Sequence, residues 1–345
     1  MRRMNCLLLC CLMGWLAMTC GKDDPWKPDP GNGTDTTAWF AKGADVSWIT
    51  EMEAGGIKFY DANGSQTECM TLLKKTGMNA IRLRVWVNPA DGWCNKTDLL
   101  VKAKRAHDLD MRLMIDFHYS DWWADPGKQN KPAAWADIPF NELCSAVADH
   151  TTEVLTALKN WNITPEWVQV GNETGNGMLW DEGKASENMA QYAALNNAGY
   201  DAVKAVFPDA RVIVHLQNGQ TNSLYRWLFD GLKNNGGKWD VIGMSLYPEP
   251  GNWLEFNNNI IGNINDMVRR YGSEVMICEV GMSWNEAVTA ELFLSDLINR
   301  TKAIPNKQCL GVFYWEPQAY NGWKAYTKGA FDDSGKPTVA LDAFN

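Results

Sequence analysis

Short apolar runs recur along the chain, and between them apolar positions return every three or four residues. The runs fall at 40–44, 80–85, 112–117, 167–170, 212–215, 241–245, 275–278 and 310–314. The longer repeat fills 67–76, 98–109, 140–160, 189–206, 223–234, 256–270 and 287–301. Runs this short suit strands buried on both faces, and the longer repeat suits helices with one buried side. Eight strands with helices between them, and no break in composition, predict an α/β protein built as a single (β/α)8 TIM barrel over 38–345. An open doubly wound sheet is the alternative. It usually carries a Gly-rich phosphate turn after its first strand, and Gly43-Ala44-Asp45-Val46 is not one.

The first residues read as an address. Met1-Arg2-Arg3 is basic, and the apolar stretch at 6–18 is too short to span a bilayer. Residues 1–19 therefore predict a lipoprotein signal peptide. Leu16-Ala17-Met18-Thr19-Cys20 resembles a loose bacterial lipobox with Cys20 as the lipidated residue, and Gly21-Lys22-Asp23-Asp24 resembles a surface-export signal. Residues 20–37, rich in Pro, Gly, Asp and Thr, read as a flexible tether. The expectation is a protein held by lipid at the bacterial outer membrane, on the cell surface. A periplasmic or secreted form is the alternative if Cys20 is incidental.

Polar and aromatic residues cluster behind every strand. The clusters include Gly43-Ala44-Asp45-Val46-Ser47, Arg82-Leu83-Arg84-Val85-Trp86, Asp116-Phe117-His118-Tyr119-Ser120-Asp121-Trp122-Trp123, Gly171-Asn172-Glu173, His215-Leu216-Gln217-Asn218, Ser245-Leu246-Tyr247-Pro248, Cys278-Glu279 and Tyr314-Trp315-Glu316. A barrel brings all these ends to one mouth, where catalytic groups sit.

Composition narrows what such a mouth binds. A net charge of −9 argues against nucleic acid or an acidic membrane as partner. Tryptophan is the outlier at 18 residues, and flat indole faces suit sugar rings. Only four histidines occur, with no His-x-His, no HExxH and no CxxC, so neither a metal nor another cofactor is expected. Asp332-Asp333 is a weak calcium candidate that reads better as a solvated turn.

Two carboxylates stand out. Glu173 follows the run at 167–170, and Glu279 follows the run at 275–278. Glycoside hydrolysis needs two carboxyl groups flanking the scissile bond, one kept protonated by burial or by its neighbour and one ionised.

The Asn172-Glu173 pair with Glu279 resembles glycoside hydrolase clan A, the retaining (β/α)8 enzymes. The Arg82-to-Trp86 and Asp116-to-Asp121 blocks narrow the resemblance to glycoside hydrolase family 53, the arabinogalactan endo-β-1,4-galactanases, over 40–345. The resemblance implies a retaining, endo-acting enzyme that cleaves β-1,4-galactan by double displacement. Glu173 is then the acid and base, Glu279 the nucleophile, and Asn172 the partner of the reacting sugar's 2-hydroxyl. Arg84 pairs with Glu279, Tyr247 donates to Glu279, Trp315 lies under the reacting sugar, and His118 and Asp121 line the site. One or two of Trp86, Trp122 and Trp123 meet neighbouring sugars. Asp45 bonds a hydroxyl or buttresses Arg84, and Glu316 makes a structural or substrate hydrogen bond. Another clan A β-glycanase (a mannanase, xylanase or endoglucanase) and a non-catalytic surface glycan-binding lipoprotein are the alternatives. The partner is a polysaccharide, the membrane is touched only through the lipid, and a monomer is the expected state.

Overall fold

The computed structural model describes residues 39–345. The signal peptide, Cys20 and the tether, read at 1–37, lie outside the described residues. Eight parallel strands pair in sequence order and close on themselves: β1 (Ala41–Asp45), β2 (Ala80–Val85), β3 (Arg112–Phe117), β4 (Trp167–Val170), β5 (Arg211–Leu216), β6 (Val241–Leu246), β7 (Glu274–Val280) and β8 (Cys309–Trp315). This is the single (β/α)8 barrel that the apolar runs predict. Strands β1, β5, β6, β7 and β8 extend one or two residues past their apolar runs.

Helices follow the strands: α1 (Ile49–Ala54), α2 (Cys69–Lys75), α3 (Lys96–Asp108), α4 (Phe140–Asn160), α5 (Ala185–Val206), α6 (Asn222–Asn234), α7 (Trp253–Tyr271) and α8 (Ala287–Lys302). Helix α1 is too short to show a repeat. Side-chain caps start two of the others: Asn95 accepts from the N–H of Asp98 at 2.9 Å to open α3, and Glu68 opens α2. Gly272, at φ +68°, ends α7 in the left-handed conformation that glycine adopts without strain. After β8 the chain closes the ring with a 3₁₀ segment, Val339–Phe344, which buries Leu341 and Phe344.

Alternation along each strand sorts the side chains. In β2, Ile81, Leu83 and Val85 join the large apolar cluster between barrel and helices, while Ala80, Arg82 and Arg84 take the other face. The bottom of the barrel interior is an apolar layer that includes Ala41, Ala80, Met114, Trp167, Ile213, Met276 and Phe313. Trp167 and Phe313 meet edge to face at 6.2 Å within it. The interior then turns polar: Asp45, Arg82, Asp116, Gln169, His215 and Ser245 are all buried there.

Strand β7 breaks its alternation, as does β8, where Leu310 and Phe313 both join the floor layer. In β7, Val275 and Ile277 pack outward, and Met276 and Cys278 belong to the floor layer. Unbroken alternation would turn Glu279 outward too. Instead the register with β6 jumps from Met244↔Ile277 to Ser245↔Glu279. Val280 then packs outward, so the bulge has swung Glu279 to the interior side.

Gly43 tests the floor. It pairs with Phe313 across β1 and β8, and a Cβ at residue 43 would come within 2.2 Å of the Phe313 ring. Gly43→Ala is therefore expected to destabilise the protein by about 1–3 kcal/mol in urea unfolding. A change indistinguishable from zero would mean that the floor is not close-packed there.

Candidate active site

The mouth of the barrel opens into a cleft of about 750 Å³. One part of its lining is aromatic, formed by Trp48, Trp122, Trp123, Trp315, Tyr247 and Tyr326. Trp48 meets Trp315 at 5.1 Å and Trp123 at 5.8 Å, and Trp315 meets Tyr326 at 4.8 Å, all tilted or edge-on. The rings therefore form a corner of indole faces rather than a stack. The polar lining comes from His118, Asn172, Gln217, Asn218 and the two carboxyls Glu173 and Glu279. Gln217 leaves its side-chain oxygen without a partner among the described residues. Such an acceptor suits a sugar hydroxyl.

Each carboxyl arrives on irregular backbone. Glu279 is turned inward by the β7 bulge. Glu173 lies three residues past β4, after Gly171 at φ +82°, and its own φ is +47°. The left-handed region is costly for a glutamate and places its side chain where a regular strand end would not.

The contacts of the two carboxyls differ. Arg82 reaches Glu279 Oε1 at 2.9 Å, and the Tyr247 hydroxyl donates to Glu279 Oε2 at 2.8 Å. Among the described residues Glu173 accepts only from the Ser245 hydroxyl, at 2.8 Å. Burial pushes both above the ordinary carboxylate range. Glu279 is the more enclosed, and burial alone would make it the more reluctant to ionise. Direct contact with Arg82 and the Tyr247 donor favour its charged form. With one negative charge to place between two neighbouring carboxyls, Glu279 takes the charge and Glu173 keeps the proton.

Arg82 is fully buried and serves three carboxylates: Asp45 at 2.8 Å, Asp116 at 2.9 Å and Glu279. It also donates to Gln169 and Asn172, at 3.1 and 3.0 Å. Burial pushes Asp116 up, but Arg82 and then His118 outweigh it and hold Asp116 below its usual value. Asp116 in turn accepts from His118 Nε2 at 3.0 Å, which fixes that ring at the cleft wall.

This arrangement corrects the expectation for Arg84. Both arginines of β2 occupy the interior face, two residues apart. Arg82, one layer deeper, takes Glu279. Arg84 turns to Glu316 at 2.5 Å, and its guanidinium lies 4.4 Å from the Trp123 ring centre, with Trp48 and Trp86 at 5.3 Å. Asp45 accordingly buttresses Arg82, and it approaches Arg84 no closer than 3.9 Å. Glu316 is buried, accepts from Gln318 and the Trp48 N–H, and does not line the cleft. Asp121 is also placed elsewhere: it accepts from the N–H groups of Asn88 and Ala133 and ties two loops together. Trp86 is 2% exposed and lies behind the lining, 5.0 Å from Trp122, with its Nε1–H donating to His118 at 3.3 Å. Trp122, at 47% exposure, and Trp123 reach the cleft, as do Trp315, Tyr247, His118 and Asn172. Asp332 accepts from Ser334 and Lys336 within its own turn.

Several residues had no assigned role in the sequence. Arg82, Gln169, His215 and Ser245 form the buried polar layer beneath the carboxyls. Their signal was available: each is a polar residue at an inward position of an otherwise apolar strand. Trp48 and Tyr326 carried no such signal, since both stand in loops.

A model of the family described as "Glycosyl hydrolase family 53" matches residues 41–344. An arabinogalactan endo-β-1,4-galactanase from Cellvibrio japonicus is 33% identical over 350 residues, covering 90% of this chain and 90% of that protein. Among solved structures, the Ignisphaera aggregans GH53 catalytic domain superposes with a TM-score of 0.81 at 31% identity, covering 92% of this chain and 98% of that one. A fungal β-1,4-galactanase superposes at 0.82 with 28% identity, covering 89% and 99%.

The contacts of Glu279 make Tyr247 a test. Tyr247→Phe removes a hydrogen bond to a charged acceptor, about 1.5–3 kcal/mol, so kcat/KM should fall about 10- to 100-fold. Losing a donor to the ionised form raises the pKa of Glu279, so the acid limb of the pH–rate profile should move to higher pH. An unmoved acid limb would show that Glu279 does not set it. In the unaltered protein the alkaline limb should lie above the ordinary glutamate value of about 4.3, because burial keeps Glu173 protonated.

Proposed function

The chain belongs to glycosyl hydrolase family 53, and from that membership we propose that it is an arabinogalactan endo-β-1,4-galactanase, cleaving β-1,4-galactosidic bonds within galactan with retention. The observation that carries this reading is the asymmetry of the two carboxyls. A fully buried arginine and a tyrosine hydroxyl charge Glu279, while among the described residues Glu173 has a single hydroxyl partner and no cation in contact.

The reaction follows as double displacement. Ionised Glu279 attacks the anomeric carbon as the bond to the leaving oxygen breaks, and Glu173 gives its proton to that oxygen. Glu173, now ionised, takes a proton from water. The water oxygen attacks the same carbon, and the bond to Glu279 breaks. Asn172 takes the 2-hydroxyl of the reacting sugar in this reading, which is supported by Arg82 and the Ala124 carbonyl holding its amide in one orientation. The indole corner of Trp48, Trp123 and Trp315, with exposed Trp122 beside Trp123, supplies apolar surface for the pyranose C–H faces.

A glycan-binding protein without catalysis is the rival reading. It accounts for the tryptophans but not for a proton-bearing carboxyl beside one held ionised. For localisation, the Leu16-to-Cys20 motif supports attachment through lipid at Cys20 and action at the bacterial cell surface. Labelling with a radioactive fatty acid, abolished in Cys20→Ala, tests it.

The function is tested by reducing-sugar release from β-1,4-galactan, mannan, xylan and cellulose. Release from galactan alone is expected, falling by orders of magnitude in Glu279→Gln. Release from another polymer instead would keep the chemistry and overturn the substrate. Proton NMR of the first product should show the β-anomer, and initial α-anomer would sink the double displacement.

A further inference from the structure

We infer that His215 and Ser245 form a fixed donor line that occupies Oε1 of Glu173, so that the catalytic proton resides on Oε2. The inference rests on the reading of Glu173 as acid and base, and it makes His215 and Ser245 positioning residues for that group.

The direction of the line follows from its far end. His215 Nδ1 lies 3.4 Å from the backbone nitrogen of Glu173, which carries a hydrogen and can only donate. It also lies 3.0 Å from Gln169 Nε2. The Gln169 amide is not free to flip, because its oxygen accepts from Arg82 Nε and Nη2 and its nitrogen donates to Asp116. Two donors therefore converge on Nδ1. Asn172 Oδ1, 3.1 Å away, already accepts from Arg82 Nη2 and needs no further hydrogen. Nδ1 is an acceptor, so the hydrogen of the neutral ring sits on Nε2.

The near end then has one solution. Nε2–H donates to Ser245 Oγ at 2.8 Å, which leaves the serine hydrogen to donate to Glu173 Oε1 at 2.8 Å. The ring is neutral because burial, with Arg82 adding to it, holds His215 well below its usual value. Oε2 of Glu173 has no protein partner among the described residues. The groups facing Glu173 are Arg82, Asp116, the loop carboxyl Asp125, Tyr225, Tyr247 and Glu279, and His118 faces His215. None of them supplies a second hydrogen bond to this carboxyl.

A line that only donates has a kinetic signature. It favours ionised Glu173, as the deglycosylation base must be, and it prevents rotation that would exchange the two oxygens. Ser245→Ala should lower kcat/KM on galactan about tenfold, a fraction of what general acid catalysis contributes. It should also move the alkaline limb to higher pH. Hydrolysis of a dinitrophenyl β-galactobioside, whose leaving group needs no proton, should fall far less in kcat/KM. Ser245→Thr should restore the alkaline limb. In the unaltered protein labelled with ¹⁵N-histidine, the ring of His215, identified by the loss of its signals in His215→Gln and so told apart from His118, whose Nδ1 also accepts, should show a bare Nδ1 and a protonated Nε2 throughout the active pH range. Equal losses on both substrates with an unmoved limb, or a hydrogen on His215 Nδ1, would overturn the inference. Failure of the unaltered protein to cleave galactan would instead overturn the functional reading, and the histidine spectrum would still decide the donor line.

Discussion

A guanidinium with no access to water holds the mouth of this barrel together. Arg82 is too costly to bury alone, and the interior supplies three carboxylates and two amides to compensate it. The partners come from four segments besides Arg82's own β2: Asp45 from β1, Asp116 from β3, Gln169 and Asn172 from β4 and its end, and Glu279 from β7. One cation therefore fixes the relative positions of five chain segments. It also decides the chemistry, because the only carboxylate among its three that lines the cleft is Glu279. The others pass the constraint outward, Asp116 to His118 and Asp45 to Ser47, whose hydroxyl accepts from the Arg84 N–H at 2.8 Å.

The reacting pair depends equally on departures from regular structure. Regular β7 would point Glu279 into the apolar shell beneath the helices. Regular continuation of β4 would not give Glu173 its positive φ. Both irregularities lie at the carboxyl ends of strands, where ladder pairing is ending and a local departure disrupts few hydrogen bonds. The packed floor beneath leaves the mouth as the place where such distortion is tolerated.

How much was legible in the sequence follows from the same physics. The strands were, because burial on both faces demands apolar runs. Glu173 and Glu279 were visible as carboxyls closing such runs. The partner of Glu279 was not, since Arg82 and Arg84 share a face and only the depth of each layer separates them. The inward turn of Glu279 was not visible either, because a bulge leaves Val275-Met276-Ile277-Cys278-Glu279 looking like any strand. Trp86 and Trp122 read alike in sequence. One lies behind the other, and only the three-dimensional stacking order decides which of them meets a sugar.

The apolar floor of Trp167, Phe313 and their neighbours makes the barrel a cup rather than a channel. Nothing reaches the covalent intermediate from below. The departing half of a cut chain and the water that replaces it must use the same side of the cleft in turn. Any hydroxyl-bearing molecule that lingers there stands where the water must stand, so the balance between hydrolysis and transfer to another sugar is decided by occupancy at the rim.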